Sequence, residues 1–139
     1  MTLTNLLNEG RLKKHSSSYN EIRNLFQIIN RDITDASIRE LSADRRFITA
    51  YNAALQLSTI VLRAYGYRTN SNKAGHHWVT ISALPEILGN PGQEHCDYFN
   101  ACRAKRNTSD YTSCGEISEE EAEEIVEEVK SFKLLVEQW

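Results

Sequence analysis

Apolar residues recur along this chain with the period of a helix rather than that of a strand. Ile22, Phe26, Ile29 and Ile33 are spaced 4, 3 and 4, the rhythm of one helix face, and follow a Ser16-Ser17-Ser18 cluster able to cap it. From Asp44 to Tyr65 there is no Gly or Pro. Phe47, Tyr51, Ala54, Val61 and Tyr65 form one stripe there, and Ala50, Ala53, Leu57, Ile60 and Ala64 widen it. A helix apolar over so much of its girth belongs at the centre of a bundle. Gly66 ends it, and residues 68–75 read as an exposed polar loop.

The second half continues in the same way. His77 to Leu88 reads as a helix interrupted or restarted at Pro85, and Gly89-Asn90-Pro91-Gly92 as a turn. Gln93 to about Asn107 reads as a further helix with Phe99, Cys102 and Arg106 on one face. The last helix starts at Ser118, where Ser118 and Glu121 fit a capping box, and carries Ala122, Ile125, Val129, Phe132 and Val136 at helical spacing. No stretch alternates convincingly with period two. The expectation is an all-α, up-and-down bundle of five or six helices forming a single domain over residues 1–139.

Composition agrees with a globular chain. Of 139 residues, 40% are hydrophobic and 25% charged, which excludes collagen-like, low-complexity and wholly disordered classes. The first residues lack a basic start and a long apolar core, so no signal peptide is expected. No apolar run approaches the roughly 20 residues of a membrane span. A soluble, cytoplasmic protein is the expectation.

Charge is uneven. Residues 116–139 carry a balance of −7 and the rest +4, within a total of −3. The run from Glu119 to Glu124 reads as a solvated face that favours a helix N-terminus. The mildly basic body tolerates a polyanion without demanding one. Cys96, Cys102 and Cys114 are odd in number and lack C-x-x-C spacing, so small buried thiols are expected rather than disulfides. His76-His77 and His95-Cys96 are adjacent pairs. Neighbours on a helix diverge, so neither pair suggests a metal site, and no cofactor is expected.

Familiar phosphate loops are absent, both G-x-x-x-x-G-K-[ST] and G-x-G-x-x-G. The stretch that stands out is Arg103-Ala104-Lys105-Arg106-Asn107-Thr108-Ser109-Asp110-Tyr111. Three cations near a helix C-terminus interact favourably with the helix dipole, and that alone would account for them. Arg106, however, continues the Phe99–Cys102 face. An arginine at the end of an apolar stripe is suited to an interface or cleft, where its planar fork can grip phosphate or carboxylate. Arg103, Lys105 and Arg106 are therefore the candidate phosphate- or nucleic-acid-binding set.

A long Ala-rich helix with Tyr51, then Gly75-His76-His77, then a late helix ending in Arg106-Asn107-x-x-x-Tyr111, resembles the HEPN superfamily. These are small helical bundles named for nucleotide binding in higher eukaryotes and prokaryotes. The resemblance implies a homodimer and a ribonuclease motif of Arg, a polar residue, three variable residues and His. In that motif Arg106 would hold the phosphate next to an attacking 2′-hydroxyl, Asn107 is the polar position, and Tyr111 stands where the histidine belongs. An unperturbed phenol titrates near pH 10 and is a poor base at neutrality. The resemblance thus implies a dimeric domain that binds RNA, a nucleotide or a protein partner without efficient nuclease activity. The alternatives are a metal-independent ribonuclease toxin, with Tyr111 or His76 or His77 acting beside Arg106, and a purely structural assembly domain. It also implies a small nucleotidyltransferase antitoxin as a partner.

Overall fold

The computed structural model describes residues 2–111 and 115–139, with residues 107–111 by backbone alone. Helices dominate it: α1 (Leu3–Asn8), α2 (Tyr19–Ala36), α3 (Ala43–Ala64), α4 (His76–Ser82), α5 (Leu84–Leu88), α6 (Asn90–Tyr111) and α7 (Glu119–Gln138). Ala83 ends α4 and begins α5, so these two are one helix interrupted just before Pro85, as the sequence predicts. The architecture is the expected all-α bundle. No helix among the described residues is long and apolar enough to cross a membrane.

Local chemistry explains where the helices start. Ser18 Oγ accepts the Glu21 amide at 3.2 Å, and Ser42 Oγ accepts that of Arg45 at 3.1 Å. Ser118 and Glu121 complete a reciprocal capping box, each side chain accepting the other's backbone N–H at 3.0 Å. Such caps satisfy amides that the first helical turn leaves unpaired. Helix α3 is the axis: it touches α2, α4, α5, α6 and α7. Its Ala53, Ala54, Leu57 and Val61 are fully buried, packed with Ile29, Phe99, Ile125, Val129 and Phe132 from α2, α6 and α7. The alanines let neighbouring helices approach closely.

Two features depart from the periodicity. Leu12–Lys14 (β1) and Tyr67–Thr69 (β2) pair antiparallel, with Lys13 opposite Arg68, although no strand was expected and residues 68–75 read as loop. Each strand has three residues, too few for alternation to register, and the pairing is non-local. It is driven by burial of Leu12 against Leu6, Leu62, Val79 and Ala83. The second departure is at Gly89–Gly92. Only Gly89 turns, at φ 72°, and Asn90, Pro91 and Gly92 already belong to α6. Proline is tolerated in a first helical turn because its missing N–H has no partner to lose. Gly92 is needed because a Cβ there would collide with the Leu84 carbonyl.

Polar anchors tie the outer helices to α3. Arg46 is 2% exposed; its Nε donates to the Ala36 carbonyl at 2.8 Å and its guanidinium to Glu123 of α7 at 2.8 Å. Asp44 accepts the amides of Gly115 at 2.6 Å and Ile117 at 3.2 Å, fixing the entry to α7.

Candidate functional site

The site is built where α3, α4 and α6 converge. Helix α6 buries Phe99 and Cys102 in the core, and the same face carries Arg106 onward. Its guanidinium lies 5.8 Å from the centroid of the Tyr51 ring on α3, a cation–π contact that restrains the long side chain. Arg106 and Tyr51 line a pocket of about 190 Å³ together with Asp32, Asn52, Leu55 and His77.

His77 reaches this pocket from the start of α4. Gly75, at φ 78°, lets the chain turn into that helix. His76 is then exposed and His77 half-buried, with their rings edge to face at 4.7 Å. Burial lowers the His77 pKa, and the charges of His76, Arg106 and Arg103 push the same way. The imidazole is therefore neutral near pH 7, with one nitrogen able to accept a proton.

Tyr51 contributes a different group. It is 2% exposed, and its hydroxyl finds no hydrogen-bond partner among the described residues. Burial drives its pKa up to about 12, against the lowering effect of Arg106 and Arg103. The phenol stays protonated, its hydroxyl buried behind the pocket that the residue lines. Asp32, 4% exposed, is satisfied by Arg31 at 3.1 Å and by the Asn52 amide at 2.8 Å, which offsets its charge against an incoming anion.

The residues singled out from sequence separate in space. Arg106 lines the pocket. Arg103 lies close enough to bias Tyr51 and His77, and donates to Asn100 Oδ1 at 3.4 Å. Lys105 turns instead to Glu121 of α7. The side chains of Asn107 and Tyr111, the remaining motif positions, lie outside the described residues, as does Cys114. Cys96 and Cys102 are buried thiols, and burial raises Cys102 to about 12, far from a nucleophile's range. Sequence reasoning missed Asp32 and Asn52. The signal for Asp32 was a carboxylate set between Ile29 and Ile33 on an otherwise apolar face.

A family model described as HEPN_SAV_6107-like HEPN matches residues 37–137, which include α3 to α6, all of α7 but its last residue, and every side chain of the pocket except Asp32. The chain belongs to the HEPN family. Neither the curated proteins nor the solved structures gave a match.

Proposed function

Starting from a HEPN-family chain, we propose a homodimeric domain that binds RNA through the Arg106 pocket without efficient nuclease chemistry. The observation that carries this reading is the Arg106 guanidinium held on the Tyr51 ring in a pocket that His77 also lines. The fork supplies parallel N–H donors to a phosphate, and Tyr51 and Asn52 supply further polar contacts. Tyr111 in the histidine position argues against fast cleavage, because a phenol is rarely ionised at neutral pH. Dimerisation rests on the family. Light scattering should give twice the 15.9 kDa chain mass, and a single-chain mass across micromolar concentrations would refute the dimer.

A second reading, a metal-independent ribonuclease, is favoured by one specific placement. Neutral His77 faces the pocket of Arg106 and could take the proton from a 2′-hydroxyl. That oxygen would then attack the adjacent phosphorus, and the 5′-oxygen would leave with a proton from solvent water, giving a 2′,3′-cyclic phosphate. A small nucleotidyltransferase would fit this reading as the antitoxin.

One experiment separates the readings: wild type, Arg106→Ala and His77→Ala incubated with RNA in EDTA, with binding and cleavage followed together. Salt-sensitive binding, weakened roughly tenfold or more by Arg106→Ala, with negligible cleavage, supports the binding domain. EDTA-resistant cleavage lost in both variants would replace it with the ribonuclease. No binding by the wild type would refute both.

A further inference from the structure

On the far side of His77 lies a second cavity, of about 220 Å³, lined by Arg63, Arg68, His76 and His77 with Gln56 and Thr59 among its other walls. Leu55 and His77 border both cavities, so the two are neighbours that share a wall. Helix α3 runs beneath them. Ile48 to Leu55 floors the first and Leu55 to Arg63 the second, which sets their centres ~12 Å apart at the helical rise.

The second cavity has a distinct electrostatic character. None of its lining residues is a carboxylate. Arg63 is balanced from outside by Glu21, 3.3 Å away, which also holds His15 at 2.7 Å. Arg68, exposed on β2, enters no ion pair among the described residues, so Arg63, Arg68 and Glu21 together sum to one positive charge. That balance suits the single negative charge of a phosphodiester better than a dianionic phosphate monoester. The hydroxyls of Thr59 and Thr80 donate to the carbonyls of Leu55 and His76, and are spent as donors. The half-buried Gln56 amide makes no hydrogen bond among the described residues, and remains able to donate to phosphate or to a base edge.

We propose that this cavity is a second phosphodiester subsite: single-stranded RNA lies along α3 past His77, one backbone phosphate at Arg106 and another, further along the strand, at Arg68 and His76. The inference rests on the reading of the Arg106 pocket given above and extends it from one phosphate to a strand. The strand is taken as single, because single strands thread narrow grooves with their bases splayed.

The test compares two RNA probes by fluorescence anisotropy: a dinucleoside monophosphate, with a single phosphodiester, and a hexanucleotide. Arg68→Ala should weaken the hexanucleotide about fivefold and make its salt dependence shallower by about 0.7 in log–log slope. It should leave the dinucleoside monophosphate unchanged. Gln56→Glu, which adds a negative charge to the same cavity, should act in the same direction. Arg106→Ala should weaken both probes. A hexanucleotide affinity and salt slope unaltered by Arg68→Ala and Gln56→Glu would overturn the second subsite and leave the Arg106 reading intact. Loss of hexanucleotide binding in Arg68→Ala but not in Arg106→Ala would instead overturn the Arg106 reading, and the two-phosphate track with it.

Discussion

Replacing Tyr51 by phenylalanine removes one oxygen and leaves the ring against Arg106. The hydroxyl is buried and has no hydrogen-bond partner among the described residues. A buried polar group left unsatisfied costs about 1–3 kcal/mol, and a shape-preserving apolar replacement recovers part of that. Phe retains the cation–π contact and the packing, since the ring is common to both. Tyr51→Phe should therefore stabilise the fold by about 1 kcal/mol, raising the melting temperature by roughly 3–5 °C for a chain of this size. If the hydroxyl is there to meet a ligand, the same variant should bind RNA several-fold more weakly: stability and function would move in opposite directions. Thermal unfolding followed by circular dichroism, paired with anisotropy on the same preparations, reads both. A variant destabilised by 1 kcal/mol or more would show instead that the hydroxyl serves the fold. Higher stability with unchanged RNA affinity would remove Tyr51 from the ligand's surroundings.

Arg46→Ala should lower stability in urea by about 2–3 kcal/mol, from the hydrogen bond lost by the Ala36 carbonyl and the cavity left by the stem, while the half-exposed Glu123 returns to water; a change below 1 kcal/mol would show that this anchor is dispensable. Gly92→Ala should also destabilise, because its Cβ meets the Leu84 backbone, and an unchanged urea midpoint would mean that α5 and α6 can move apart freely. Stability should fall with acidification below about pH 6.5: burial lowers the pKa of His77, as it does that of His95 against the opposing Glu128 and Glu94, so the unfolded chain takes up those protons first. Below about pH 4.5 a second loss should follow as Glu21 is protonated, since His15 and Arg63 hold its pKa down against the desolvation that raises it. Urea midpoints that stay flat between about pH 7.5 and 5.5 would contradict the assignment of the two histidines.

Long elements were legible in the sequence because many residues vote on one period. Across α3, no single misfit could hide the stripe from Phe47 to Val61, although Tyr65, read into the same stripe, is the exposed residue that ends the helix; the Ser118–Glu121 cap announced α7. The β1–β2 ribbon was hidden because three-residue strands carry no period and their pairing is set by the burial of Leu12. Pro91 and Gly92 misled because the chemistry that breaks a helix interior is acceptable at its first turn. Arg46 was read as part of a helix and not as a buried anchor, because its partner Glu123 is 77 positions away. The pocket was half legible. Arg106 followed from the apolar face it ends, whereas its meeting with Tyr51 and His77 depends on how three helices pack, which spacing does not encode.

The histidine ring signals in NMR, recorded during titration with a dinucleoside monophosphate, test the Arg106 pocket most directly. His77 borders that pocket, whereas His95 is packed between Phe99 and Phe132, with ring centroids 5.9 and 4.7 Å away, and serves as an internal reference. The His77 resonances should move saturably, its pKa should rise as the anion neutralises Arg106, and His95 should stay still. Arg106→Ala should abolish the shift. RNA binding that leaves His77 unmoved in the wild type would place the ligand elsewhere and contradict the assignment.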